Sequence, residues 1–423
     1  MTAVPPEGTT GPRRRELLGL GVAAVAGAAW TPTSWGPPPS EEVEPPLRRT
    51  PQRRAARPKA KLRAKKKRGL AIGSLVPTPF AVLVHRRLGL GHRPGDLAAF
   101  DALGGDDAAR LARYLDRELD LRAPSAVDLG RLAATADDGR RFALETLARR
   151  VYGRRPLFEA VVAFWHGYFG GAENTRRMRA RDAAIREHAL GNAGDLLRAV
   201  GAVGPSEDLD VGEDLVPRLA AALAGSVPDS AIAAGLGAFA AAAGSGDQIA
   251  ATIRAMATSP GFFSEAGPTP RPAAHVAVAA LRALGCGPEH FSNPQVAEFL
   301  LDGIETLGGT VPSALAAAGP MSRARVWSFL VRLTRFASQN GRRPFDPVSL
   351  TPSAHRTSAA FTDHWIGELL GKSLEPLRRQ ALVEVLSAGR AEGRRLDLSE
   401  VGVGDRVRSM VSLVLMSPEF LAR

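Results

Sequence analysis

Apolar residues recur at helical spacing from about Thr78 onward, and this periodicity limits the fold more than any other feature of the chain. Leu111, Leu115 and Leu119 stand at i, i+4 and i+8. A second stripe follows the i, i+3, i+4, i+7, i+11 pattern: Phe158, Val161, Val162, Trp165 and Phe169. Runs of alternating β-branched residues bounded by hairpin turns are absent from the sequence. The sequence therefore predicts an all-α fold built as a large multi-helix domain.

Local signals predict where some helices begin and end. Pro156 suits the first turn of a helix, and the pair Gly170 and Gly171 stops that helix. The pattern Ser-Pro-x-Phe occurs at 259–262 and at 417–420, each time after an apolar helical run. In both places we expect Ser to cap a new helix, Pro to start it and Phe to return to the core.

The first 29 residues have the pattern of an export signal. Basic residues precede an apolar run over 17–29, which is about 20 Å long as a helix and too short for an ordinary membrane span. Arg14 and Arg15, followed by Leu17 and Leu18, resemble a twin-arginine signal. An ordinary general secretion signal is the alternative. Both interpretations predict an exported protein of the periplasm or cell envelope.

The composition of residues 30–75 predicts a disordered linker, because a Pro-rich stretch and a basic run leave few apolar groups to bury. Twelve basic residues and no acidic one lie within 48–68; the remaining 43 basic residues balance 43 acidic ones. The basicity of the chain therefore belongs to one tail.

Two interpretations of the basic tail stay open. It is a solvated spacer, or it binds an anionic envelope polymer, a membrane surface or extracellular nucleic acid by charge alone. The candidate residues for such binding are Arg53, Arg54, Lys65, Lys66, Lys67 and Arg68. No aromatic residues interleave with them, so we expect salt-sensitive binding without specific nucleic-acid recognition.

The sequence lacks the motifs of several kinds of reactive or metal-binding site. Cys286 is the single cysteine, which rules out an internal disulfide and a thiolate-clustered zinc site; we expect it to be a small core or turn residue. The sequence has no Gly-x-Ser-x-Gly elbow, no His-Glu-x-x-His helix and no EF-hand loop.

The candidate reactive residues are His166, His188, Arg181 and Asp182. Neutral histidine is a common metal ligand and acid–base group, so His166 and His188 are candidates for a catalytic or divalent-metal site, with Arg181 and Asp182 next to His188 in sequence. The alternative is that these polar residues are hydrogen-bonded within a helical core. We also expect Arg181, Asp182 and Asp195 to form an ion-pair network that braces neighbouring helices.

Four segments, in this order, resemble the bacterial DUF1800 family, a domain of unknown function. They are LVHRRLGLGHRPGDLAAF at 83–100, AFWHGYFGG at 163–171, RDAAIREHALGNAGDLL at 181–197 and VSLVLMSPEFLAR at 411–423. The resemblance covers about 76–423. It implies a large, predominantly helical exported protein whose partner is a sulfatase-like exported protein encoded nearby.

The chain departs from the family pattern at one position that bears on chemistry. The family usually has Trp-His-x-His-Phe where this chain has Trp165, His166, Gly167, Tyr168 and Phe169, so the second histidine is missing. The family's Asn-Glu-Asn segment, expected after 181–197, is also absent.

The sequence thus predicts three parts: an export signal (1–29), a linker (30–75) and a helical domain (76–423) with a subdivision near 224–247. Two functions stay open. One is a non-catalytic envelope scaffold that binds a partner, without a cofactor. The other is a metal-assisted envelope hydrolase that uses His166 and His188.

Overall fold

The computed structural model describes the helical domain in seven segments. They are residues 76–123, 127–135, 137–170, 174–204, 214–264, 269–307 and 322–423. Within them the regular secondary structure is helical, and the only β pairing is two isolated bridges, Pro270 with Ala422 and Thr357 with Arg395. The prediction of an all-α fold is confirmed.

The predicted export signal and linker lie outside the described residues. This applies to two sets of candidate residues, those of the export signal and those of the basic tail: Arg14, Arg15, Leu17, Leu18, Arg53, Arg54, Lys65, Lys66, Lys67 and Arg68. Both assignments stay predictions. None of the helices in the described ranges is long and apolar enough to cross a membrane.

The described ranges contain nineteen helices. The first ten are α1 (Phe80–Arg87), α2 (Asp96–Asp101), α3 (Asp107–Glu118), α4 (Asp138–Tyr152), α5 (Pro156–Tyr168), α6 (Thr175–His188), α7 (Ala193–Val203), α8 (Leu215–Ala224), α9 (Asp229–Ala241) and α10 (Gln248–Thr258). The others are α11 (Ala273–Ala283), α12 (Pro288–Phe291), α13 (Pro294–Thr306), α14 (Arg323–Arg335), α15 (Pro347–Leu350), α16 (Ser358–Leu370), α17 (Pro376–Ser387), α18 (Val403–Leu415) and α19 (Pro418–Leu421).

The helix ends follow the local chemistry of the sequence. The side chains of Asp106, Asp137 and Asn174 cap α3, α4 and α6 by accepting hydrogen bonds from backbone N–H groups of the first turn. Pro156 is the first residue of α5, as predicted, and Gly170 adopts a left-handed φ of 72° just after that helix ends. Both predicted apolar stripes are buried.

The two Ser-Pro-x-Phe segments fold differently. At 417–420, Ser417 caps α19, Pro418 starts it and Phe420 is buried, as expected. At 259–262 the chain forms a turn instead of a helix, because Gly261 adopts a left-handed φ of 83° that a helix does not accept. Phe262 is nevertheless buried. The expected helix start after Ser259 is therefore wrong, and the expected return to the core is confirmed.

Two clusters of buried apolar side chains form the core. The first cluster combines α1, α3 and α5 with α6 to α10. The second cluster combines α4 with α11, α13, α14, α16 and α18, and it includes the fully buried Cys286. Ala160 of α5 packs against both clusters. The contact of α4 with α5 and α6 is thus a junction between the two clusters, and the polar candidates lie there. The predicted subdivision near 224–247 stays a prediction; α9 lies within it.

Candidate functional site

The end of α5 is anchored to the end of α6 by its aromatic residues. Trp165 is fully buried, and its Nε1 donates a hydrogen bond of 2.9 Å to the carbonyl of Ala189, directly after α6. The Trp165 ring stacks on Phe169 with centroids 5.6 Å apart. This packing fixes the rotation of α5, so that His166, the next residue, points towards α6.

His166 meets an aspartate from the neighbouring helix. Its Nε2 donates a hydrogen bond of 2.9 Å to Oδ1 of Asp182 on α6, and both side chains are only 7% exposed. The carboxylate can only accept, so the Nε2 position carries the proton. The pair connects α5 to α6 in the interior of the junction.

Arg186 completes the group by binding two carboxylates. Its Nε donates to Oδ2 of Asp182 over 2.9 Å, four residues earlier on α6. Its two terminal nitrogens donate to Oε1 and Oε2 of Glu159 on α5 over 2.9 and 3.0 Å. This forked geometry is the strongest form of arginine–carboxylate pairing. We call Glu159, His166, Asp182 and Arg186 the junction network.

Further charged residues connect the junction network to α4. Arg149 of α4 lies 3.7 Å from Oδ2 of Asp182. One turn away, Glu145 of α4 accepts hydrogen bonds from Arg141 over 3.1 Å and from Arg179 of α6 over 2.8 Å. All three helices at the junction are therefore joined by ion pairs.

The charges within the junction network are set by burial and by pairing. Burial lowers the pKa of His166 and outweighs the opposing effect of Asp182, so the ring is neutral near pH 7. Burial alone would raise the pKa of Asp182, but the hydrogen bond from His166 and the charge of Arg186 outweigh it, and the pKa lies below its usual range. Burial alone would lower the pKa of Arg186, but the carboxylates of Glu159 and Asp182 have the larger combined effect and raise it.

The other sequence-predicted residues have different partners from those expected. Arg181 donates to the carbonyl of Gly170 over 3.1 Å, which satisfies the end of α5. Asp195 pairs with Arg198 on the surface of α7. The expected network of Arg181, Asp182 and Asp195 is therefore corrected, because each residue has found a closer partner. His188 is the last residue of α6 and is half-buried, and within the described part of the chain no hydrogen bond joins it to His166.

A neutral histidine oriented by a carboxylate is the arrangement of a general base. Both oxygens of Asp182 and both of Glu159 already accept hydrogen bonds. Across the described segments, no group of three or more His, Cys, Asp or Glu side chains is placed to hold a metal ion.

A comparison with protein-family models identifies the family of the chain. The model for DUF1800, described as a protein of unknown function, matches residues 83–203 and 209–422. The chain belongs to the DUF1800 family. No curated protein matches this DUF1800 protein, and no solved structure matches it.

Tyr168 occupies the position where the family motif usually has its second histidine. In this DUF1800 protein the ring packs among aromatic neighbours, with centroids 5.6 Å from Trp165 and 5.5 Å from Phe169. The guanidinium of Arg218 lies 5.6 Å from the Tyr168 ring centroid. The Tyr168 ring is thus part of the aromatic packing at the end of α5.

A second buried polar cluster was not predicted from the sequence. His85 of α1 packs edge-on against Tyr114 of α3, with centroids 5.6 Å apart, and neither of its buried ring nitrogens has a hydrogen-bond partner among the described residues. Burial lowers the pKa of His85 to about 4. Glu118 of α3 is fully buried, and burial raises its pKa to about 7 although its carboxylate accepts a hydrogen bond from the backbone of Leu157.

A fully buried arginine ties this region to the second apolar cluster. Arg282 of α11 donates to the carbonyls of Gly91, Arg150 and Val151 over 2.8, 3.2 and 3.1 Å. It also lies 3.3 Å from the carboxylate of Asp96. Three helices and one glycine turn are thus held by one side chain.

Proposed function

We propose that this DUF1800 protein is a non-catalytic, exported helical scaffold that binds a protein partner at the cell envelope. One observation carries the proposal: four polar residues at the contact of α5 with α6 satisfy one another. His166, Asp182, Arg186 and Glu159 exchange four hydrogen bonds of 2.9 to 3.0 Å inside the junction. Groups engaged in this way hold helices together, and the four bonds occupy every carboxylate oxygen of Asp182 and Glu159.

The burial of His166 supports the same proposal. A general base must bring its ring nitrogen within about 3 Å of a substrate proton, directly or through one water. His166 is 7% exposed and its Nε2 is engaged with Asp182. Offering Nε2 to a substrate would break a buried hydrogen bond to a charged acceptor, and such a step is costly.

An exposed apolar stripe supports the partner-binding part of the proposal. Leu377, Ala381 and Val385 stand at i, i+4 and i+8 on α17, and all three are exposed; Leu377 is 59% exposed and Val385 is 38% exposed. Adjacent exposed apolar side chains are typical of surfaces that a partner covers. We propose that the sulfatase-like exported protein implied by the family resemblance binds there.

The test is co-purification from native envelope. We expect the wild-type protein to retain a stable partner, and Leu377→Asp with Val385→Asp to lose it. The control is Leu236→Asp, which places one such charge on an exposed leucine of α9 and should retain the partner. Absence of any stable partner on the wild-type protein would refute the proposal, as would equal loss in the control.

The metal-assisted hydrolase is the second candidate, and the His166–Asp182 pair is the observation that favours it. That pair has the geometry of a base and its orienting carboxylate. On this alternative, protein purified without a histidine tag carries a stoichiometric divalent metal that His166→Ala and His188→Ala both remove. On the scaffold proposal, the metal content is the same in the wild type and in both variants.

A further inference from the structure

A small cavity lies where the end of the chain packs against the segment before α11. The two backbones pair there: the N–H of Arg271 donates to the carbonyl of Leu421 over 2.8 Å, and the N–H of Arg423 donates to the carbonyl of Thr269 over 2.9 Å. The cavity next to this pairing measures about 10 Å³, which is room for one occupant of the size of a water molecule. Half of its lining is apolar, and the polar residues and the glycine stand beside it: Ala279, Ala283, Leu369, Leu370 and Phe420, with Arg86, Gly91, His92, Arg271 and Glu419.

Arg271 is the unusual member of this lining. Its side chain is 6% exposed, and its guanidinium carbon lies 5.7 Å from the centroid of the Phe420 ring. Within the described part of the chain no hydrogen bond or ion pair reaches the guanidinium. Burial, and then the neighbouring charges of Arg86 and Arg423, lower the pKa of Arg271. A largely buried positive charge without a paired carboxylate is unfavourable, so the site favours an acceptor with negative charge.

The one carboxylate in the cavity does not supply that charge to Arg271. Oε1 of Glu419 pairs with Arg378 on α17, which compensates the charge of Glu419. Oε2 of Glu419 is buried and accepts no hydrogen bond within the described part of the chain. A single water between Arg271 and Glu419 would satisfy hydrogen bonds but would leave the charge of Arg271 uncompensated.

The rest of the lining is compatible with a small occupant. His92 donates from Nε2 to the carbonyl of Glu368 over 2.9 Å, and burial lowers its pKa, so the ring is neutral. Gly91 has a φ of 96°, and a Cβ there would lie 3.2 Å from Cβ of Ala279 and 3.7 Å from a terminal nitrogen of Arg271. Glycine at this position thus keeps the guanidinium accessible from the cavity.

We propose that this cavity binds one small monovalent anion against the guanidinium of Arg271, chloride being the common anion closest to water in size. The anion accepts hydrogen bonds from Arg271 and compensates its charge. It thereby holds the C-terminal segment to the residues before α11. The site is separate from the junction network and does not depend on the proposed scaffold function.

Chloride binding is measured on the full-length protein in gluconate buffer by the excess ³⁵Cl NMR line width during a chloride titration. We expect saturable broadening in the wild type and none in Arg271→Met. The matched control, Arg198→Met, removes an exposed guanidinium and should leave the broadening unchanged. In crystals soaked with bromide, an anomalous peak should lie within hydrogen-bond distance of Arg271.

Glu419→Gln keeps the proposal testable if Arg271→Met does not fold. Removing a negative charge from the lining should tighten chloride binding by roughly threefold or more. The proposal is overturned by non-saturable broadening in the wild type, by broadening that persists in folded Arg271→Met, by an unchanged chloride affinity in Glu419→Gln, or by a bromide-soaked crystal with no peak at Arg271.

Discussion

Replacing Asp182 by asparagine changes the junction network at its centre while keeping the size of the side chain. Asp182 accepts one hydrogen bond from His166 and one from Arg186, each 2.9 Å long. An asparagine has one acceptor oxygen and one donor nitrogen, so it cannot accept from both neighbours with the same geometry. One buried donor is left without its charged acceptor.

The expected cost follows from the partners that remain. Removing one member of a buried ion pair costs about 3–5 kcal/mol, because the other charge stays buried without compensation. Arg186 keeps its forked pair with Glu159 in the variant, so the lower end applies. We expect Asp182→Asn to lower the free energy of unfolding by about 3 kcal/mol near pH 7.

Urea titration followed by circular dichroism measures this change. The matched control is Asp195→Asn, which makes the same substitution in an exposed ion pair with Arg198. An exposed pair contributes little, so we expect the control to change the free energy of unfolding by about 0.5 kcal/mol or less.

The pH dependence gives an independent check of the same reasoning. The pKa of Asp182 in the folded protein lies below its ordinary value of 3.8, because His166 and Arg186 favour the ionised form over the effect of burial. The ionised form therefore stabilises the fold above pH 3.8, and this contribution is lost as the pH falls from 3.8 through the lower pKa of the folded protein. The difference between wild type and Asp182→Asn should be constant from about pH 7 to pH 5 and shrink towards about pH 3.

Two results would refute this reasoning. One is a change in the free energy of unfolding no larger for Asp182→Asn than for Asp195→Asn. The other is a difference that grows as the pH falls from 7 towards 4, since that would mean that the pKa of Asp182 in the folded protein lies above its ordinary value.

Three further predictions concern buried groups outside the junction network. Between pH 6.5 and pH 4 the wild type should lose about 3 kcal/mol of stability, because the pKa of His85 is about 4 in the folded protein and the unfolded chain therefore binds a proton first. His85→Phe should not show this loss. Urea titrations at both pH values measure it, and a variant that loses as much stability as the wild type would contradict the prediction. Gly371→Ala should lower the free energy of unfolding by about 2 kcal/mol, since φ is 63° and the added Cβ would contact Val82. Thermal unfolding measures this change, and a midpoint equal to that of the wild type would argue against it. Cys286 should react with a thiol reagent only after unfolding, because it is fully buried and burial raises its pKa; fast labelling of the native protein would disprove this.

Features that depend on neighbours along the chain were predictable from the sequence. The stripe of Leu111, Leu115 and Leu119 places α3, and Pro156 marks the start of α5, because helical spacing and first-turn chemistry are local. The failure at Ser259 is also local: Gly261 takes a left-handed conformation, whereas Glu419 continues α19 at the equivalent position.

The partners within the junction network were not predictable in the same way. His166 and Asp182 are 16 residues apart on different helices, and helical periodicity says which residues share a face but not which faces meet. One signal was available: Asp182 and Arg186 stand at i and i+4, the spacing of a helix ion pair. It indicates that Asp182 is already engaged on its own helix.

The buried cluster around His85 shows the same limit. Glu118 follows Leu111 and Leu115 at i+7 and i+3, so it lies on the apolar face of α3. A carboxylate in that position indicates a buried polar group, although the chain does not reveal that the backbone of Leu157 is its partner.

The central claim is that the junction network holds α5 and α6 together, and a double-mutant cycle on the free energy of unfolding tests it most directly. The cycle combines Glu159→Gln on α5 with Arg186→Met on α6, which form the ion pair between the two helices. The account predicts that each single variant is less stable than wild type and that the two are coupled by more than about 1 kcal/mol, because they share one buried ion pair. Single variants more stable than wild type, as expected when a strained reactive site is relieved, or coupling below about 0.5 kcal/mol, would contradict it.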